Sequence, residues 1–147
     1  MTQPPSVPRL VVDTNLILRA ITGQGLPRVL YNCFLRGEVR FVVSEALMFE
    51  LRRVLTYERV TDLGSGISPS AGFGLALELM LLSEYHPNVR RHGWPSLSDP
   101  KDWFLLDLLW VSSADALLTL DGRVLEAGMN LNLPVMTLEQ GHEKKLF

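Results

Sequence analysis

The chain has 147 residues, 47% of them apolar and 20% charged, which is enough for one hydrophobic core and excludes a disordered or fibrous protein. A net charge of −2 excludes a surface that is basic throughout, so contact with RNA or DNA would need a local basic patch or metal ions. The single cysteine, Cys33, excludes an intramolecular disulfide and a multi-thiolate zinc site, and a small buried thiol is expected there.

Residues 1–8 read as a flexible tail, because the opening Met-Thr-Gln-Pro-Pro has neither a basic region nor an apolar one. One domain over 9–147 is expected to follow, in a cytoplasmic protein. Glu78 and Asp107 interrupt the two most apolar stretches, which leaves each short of the ~18 residues that would cross a bilayer. The slightly positive mean hydropathy points to apolar surface used for association.

In chain order, a β-branched run predicts a strand over 10–12 that stops abruptly at Asp13, Thr14 and Asn15. Helices over 15–21 and 26–35 follow, then a strand over 40–43. Ser44 is a good N-cap for a helix over 45–55, in which Leu47, Leu51, Val54 and Leu55 share a face. The turn formers of 60–70 predict a mobile connection, and Gly64-Ser65-Gly66 within it lacks the Lys-Ser/Thr of a phosphate loop. Next come a helix over 71–82, a short strand over 88–90, a helix over 101–112, a strand over 116–119, a helix over 122–127 and a strand over 134–136. This alternation predicts an α/β protein with a mainly parallel sheet and helices on both faces.

Acidic residues stand at four of these boundaries. Asp13 and Asp121 each follow an apolar strand, where open α/β sheets bind their ligands, so one acidic pocket is expected. Glu50 lies at the edge of an apolar helix stripe and needs a partner or a metal; its i+4 neighbour is Val54, which offers none. Asp99, Pro100 and Asp102 make a well-formed helix start, and capping accounts for them unless the helix also aims Asp102 at the strand ends. The helix over 101–112 is apolar nearly all round. Phe104, Leu105, Leu108 and Val111 form one stripe and Trp103, Leu106 and Trp110 a second, part of which a second copy or a partner segment is expected to cover.

Taken together, Val11-Val12-Asp13-Thr14-Asn15, the helix bearing Glu50, Asp99-Pro100-Lys101-Asp102-Trp103 and Ala114 to Asp121 resemble a PIN domain, and more narrowly the VapC-like toxins of toxin–antitoxin pairs. The resemblance implies a three-layer α/β/α sandwich and a metal-dependent endoribonuclease that dimerises and is restrained by a cognate antitoxin. It places the four catalytic, metal-holding acids at Asp13, Glu50, Asp102 and Asp121, with Thr14, Asn15, Asp99 and Thr119 in support. An all-carboxylate donor set suits Mg²⁺ or Mn²⁺. Leu120 stands where the group commonly has Gly, and Trp103 where it has a polar residue, so the shape of the substrate path differs. Arg52 and Arg53 are candidate RNA contacts, Arg59 and the Arg90-Arg91-His92 cluster further basic groups, and the isolated histidines have no ligand spacing. The alternative is a catalytically inactive PIN-like binding or scaffold module. An aspartyl phosphatase is disfavoured, because Asn15 replaces the second Asp of the expected Asp-x-Asp.

Overall fold

The structure is a computed structural model and describes residues 6–55, 69–94 and 103–147. Chain order is β1 (Arg9–Val12), α1 (Thr14–Thr22), α2 (Leu26–Leu35), β2 (Arg40–Ser44), α3 (Glu45–Leu55), α4 (Pro69–Leu82), β3 (Glu84–His86), α5 (Trp103–Ser112), β4 (Ala116–Leu118), α6 (Gly122–Asn130), β5 (Val135–Met136) and α7 (Leu138–Glu143). The five strands form one parallel sheet in the order β3-β2-β1-β4-β5, flanked by these helices as an α/β/α sandwich. No described helix is long and apolar enough to cross a membrane.

The central position of β1 explains its sequence. Leu10 pairs with Phe41 on one side and Ala116 on the other, so Leu10, Val11 and Val12 meet protein on both faces and none can be polar. Phe41 stacks on Phe34 of α2 with ring centroids 4.1 Å apart, fixing that helix to the sheet. Gly37, at φ +75°, ends α2 in a left-handed turn that lets the Glu38 N–H reach the Cys33 carbonyl at 2.9 Å. Cys33 itself is buried, as expected, and burial pushes its thiol pKa up.

The chain runs outward from β1 to β2 and β3, then returns to lay β4 against the other side of β1. The β1/β4 junction is therefore the topological switch point, and the loops carrying Asp13 and Asp121 leave it side by side. At the other end of the sheet Arg9 bonds Glu84 at 2.9 and 2.5 Å and the Ser112 carbonyl at 2.8 Å, so one guanidinium joins β1, β3 and the end of α5. His86 bonds the same carboxylate at 2.7 Å. The Arg9 bonds hold the Glu84 pKa down at about 2, against an ordinary 4.5. Stability from this pair is complete above the ordinary value and is lost as pH falls from 4.5 through about 2. Glu84→Gln should cost about 1 kcal/mol at pH 7, a partly solvated pair being worth no more, and should flatten the acid limb of a melting-temperature profile over that window.

Two expectations differ from the structure. The short strand is at Glu84–His86, not 88–90, because β2 offers a free edge to that segment: Val42 pairs with Glu84 and Ser44 with His86. The stripes of α5 also divide differently. Leu106 of the second stripe is fully buried, while Val111 of the first is exposed along with Trp110, since α5 lies across β1, β2 and β4. The expected tail over its first five residues, nearly all of the turn-rich connection, and the Asp99-Pro100 helix start lie outside the described residues.

Candidate functional site

Asp13 ends β1 and is the N-cap residue of α1, with its backbone N–H bonded to the Leu118 carbonyl of β4 at 2.9 Å. That bond carries the sheet ladder one step beyond the strand and fixes the carboxyl at the switch point. Thr119, fully buried, donates its hydroxyl to Asp13 Oδ2 at 2.6 Å and accepts from the Asp121 N–H at 3.1 Å. A single hydroxyl thus sets both acids. Asp121 is in turn the N-cap of α6, its Oδ1 accepting from the Arg123 N–H at 2.9 Å.

Both acids line one cavity of about 940 Å³, together with Thr14, Asn15, Glu50 and two arginines, Arg19 and Arg53. Burial pushes the Asp13 pKa up. The Thr119 bond opposes this, as do the nearby N–H groups of Asn15 and Thr14, which are not in cap hydrogen-bond geometry, while the charge of Asp121 adds to the rise. Desolvation is the largest of these causes and the charge of Asp121 a smaller one.

Glu50 is on the cavity wall, but its carboxylate is engaged. Arg53, one helical turn on, bonds it at 2.7 and 3.3 Å. The i+3 position supplies the partner that i+4 lacks. Arg52 does not line this cavity and lies instead with its guanidinium 6.0 Å from the Phe49 ring centre. Asp99 and Asp102 lie outside the described residues. Arg19 was not anticipated, although it follows Asn15 by four residues and so shares its helix face.

A divalent cation fits this donor set in three respects. Asp13 and Asp121 are carboxylates that line one cavity, Asp121 with Arg123 Nε 3.7 Å from its Oδ1, and the charged form of Asp13 is disfavoured. Thr14 Oγ1 is buried at the same cavity with no hydrogen-bond partner among the described residues, an oxygen that a metal-held water would satisfy. Every oxygen is hard. Among the described residues no three His, Cys, Asp or Glu side chains converge at metal-holding distance, and Glu50 is paired with Arg53.

A family model described as "PIN domain" matches residues 9–123. Among solved structures the chain is similar to one titled "A domain of a functionally unknown protein from Methanocaldococcus jannaschii DSM 2661", at 13% identity over 89% of this chain and 91% of that one, with a TM-score of 0.49. A search of curated proteins found no match.

Proposed function

This chain belongs to the PIN domain family, and on that footing we propose that it is an endoribonuclease that hydrolyses RNA phosphodiester bonds with Mg²⁺ or Mn²⁺. Members of the family are typically nucleases and usually use divalent metals. The observation that carries the reading is the pair Asp13 and Asp121, delivered by adjacent strands to one cavity and tied through Thr119. When bound, the metal supplies an activated water and neutralises charge on the scissile phosphate.

The protein's own groups do the rest. Asp13 and Asp121 would hold the cation; Thr119 orients the Asp13 carboxylate directly and fixes Asp121 through its backbone N–H. Thr14 and Asn15 orient water at the same edge. Arg19 and Arg53 face the cavity that the acids line, and either can take a phosphate flanking the cut. Glu50 would be a further donor for the cation if Arg53 engaged a phosphate in its place. Asp102 is the fourth acid by its place in the family pattern, with Asp99 behind it.

The toxin role in a VapC-like pair rests on the same pattern. It calls for a cognate antitoxin and a homodimer, and the exposed Phe73, Leu77, Leu81 and Leu82 of α4 are apolar surface such partners would cover.

The test is cleavage of a mixed RNA pool by purified protein with Mn²⁺, abolished by EDTA and restored by added Mn²⁺. Calorimetry of the same protein with Mn²⁺ covers the case of an unsuitable pool. A folded chain that neither cuts RNA nor binds Mn²⁺ at millimolar concentration would overturn the reading. It would favour the second one, an inactive PIN-like binding module, which the Glu50–Arg53 pair supports because it neutralises one expected ligand. Within the nuclease reading, Thr119→Val should weaken Mn²⁺ binding about tenfold, the usual cost of losing a group that orients a ligand. Without the Thr119 bond the Asp13 pKa rises further, so protons compete harder and the calorimetric defect should be larger at pH 6 than at pH 8.

A further inference from the structure

A second cavity, of about 430 Å³, adjoins the acidic one; Ala46 and Phe104 line both. Its walls include Phe49, Trp103 and Phe104, with Arg91 at one side and Asp107 of α5 among the lining groups. Phe49 is 60% exposed, although it sits one residue from Glu50 on a helix whose other large apolar side chains pack inward.

Asp107 is the group that calls for explanation. It is only 3% exposed, in the middle of an otherwise apolar helix. Its Oδ1 accepts from the His92 N–H at 3.0 Å and from Trp94 Nε1 at 2.7 Å, which ties the segment after β3 onto α5. Its Oδ2 accepts no hydrogen bond from a described residue, yet the side chain lines the cavity. An acceptor oxygen with no donor among the described residues is one that the N–H of a ligand in the cavity can engage.

We propose that this cavity is a nucleobase subsite: it takes one unstacked base of a single-stranded RNA whose adjoining phosphate lies at Asp13 and Asp121, and Asp107 Oδ2 accepts from the exocyclic amino group of that base. The inference rests on the nuclease reading above for the position of the phosphate. Aromatic faces beside a charged groove are how proteins hold unpaired bases, each stack being tolerant of base identity. Discrimination comes from the carboxylate. Cytosine, adenine and guanine present an amino group, whereas uracil presents an N3–H flanked by two carbonyl oxygens that a carboxylate repels. Arg91 is placed for a phosphate of the same strand. Glu45 also lines the cavity, which makes it unsuited to phosphate throughout and suited to a base.

The test uses fluorescein-labelled oligocytidylate and oligouridylate of about a dozen nucleotides, titrated by anisotropy against the Asp13→Asn protein so that cleavage does not intervene. Oligocytidylate should bind about tenfold more tightly, the scale of one hydrogen bond to a charged group. Adding Asp107→Asn keeps an oxygen for His92 and Trp94 but puts an NH₂ where Oδ2 was, and should erase or reverse the preference. Phe49→Ala, at an exposed position that should not disturb folding, should weaken both ligands at least fivefold. Equal affinities, or a preference that Asp107→Asn leaves intact, would overturn the subsite, as would affinities that Phe49→Ala does not change; a cavity built for a protein segment gives that result. Cleavage by the unsubstituted chain separates the two readings. Equal kcat/KM on both oligonucleotides leaves the nuclease and sinks the subsite, whereas cytosine-selective binding without any cleavage keeps the subsite and sinks the nuclease.

Discussion

Asp13→Asn should abolish the proposed Mn²⁺-dependent RNA cleavage, lowering kcat/KM by more than about 100-fold, because on that reading Asp13 is a direct ligand, whose loss exceeds the 10- to 100-fold typical of losing a group behind one. The same substitution should leave the metal-free protein as stable as before or more so. Burial raises the Asp13 pKa, so the folded state disfavours the ionised form; stability from this group is complete below its ordinary 3.8 and declines as pH rises through the raised value. Asparagine removes that penalty, and its side-chain oxygen can still accept from Thr119. Melting curves in EDTA at pH 7 and activity assays in Mn²⁺ should therefore move in opposite directions. A variant that loses activity and stability together would make Asp13 a structural group, and one that keeps its activity would remove it from the reaction. The opposition of the two readouts is what distinguishes a ligand from a cap.

Gly72→Ala should destabilise the fold by about 3 kcal/mol, at the upper end of what overpacking usually costs. A Cβ there would meet the Leu55 carbonyl oxygen at 2.3 Å and its carbon at 2.9 Å, both backbone atoms at the end of α3 that cannot turn aside. Helix α4 approaches α3 closely at this point, and the absence of a side chain permits it. Two residues on, Gly74 has nothing within 4 Å of the same position. Gly74→Ala should then show only the intrinsic helix preference and stabilise by up to about 1 kcal/mol. Urea midpoints of the two variants on either side of the parent would establish the close approach. Stabilisation by both would mean that α4 stands further from α3 than the structure has it.

Much of the fold was legible because its signals are local. The strands β1 and β4 show as apolar runs cut off by Asp13 and by Thr119-Leu120-Asp121, and α2 and α3 have the bounds their periodicity predicts. The edge strand β3 was not legible. Glu84-Tyr85-His86 has no apolar alternation, and it is a strand because β2 presents unpaired backbone groups and Arg9 holds Glu84 from a distance of 75 residues. Helix α7 was missed although its signal was present. Thr137 and Gln140 form a reciprocal capping box, with bonds of 3.1 and 2.9 Å, and the Thr-x-x-Gln spacing announces it.

Glu50 shows the limit of a helical wheel. The pattern placed it at the edge of the apolar stripe beside an i+4 neighbour with no charge, while the carboxylate is engaged by Arg53 at i+3. Asp107 shows the same limit more sharply: in the sequence it only interrupts an apolar run, and its two donors come from 13 and 15 residues away.

The order of acids and the alternation of strands and helices are properties of neighbouring residues, so the chain by itself determined a parallel α/β protein with carboxylates at its strand ends. Which of those carboxylates share a cavity depends on contacts between distant segments. The crossing of β4 to the far side of β1, driven by burial of both faces of the central strand, brings Asp13 and Asp121 together.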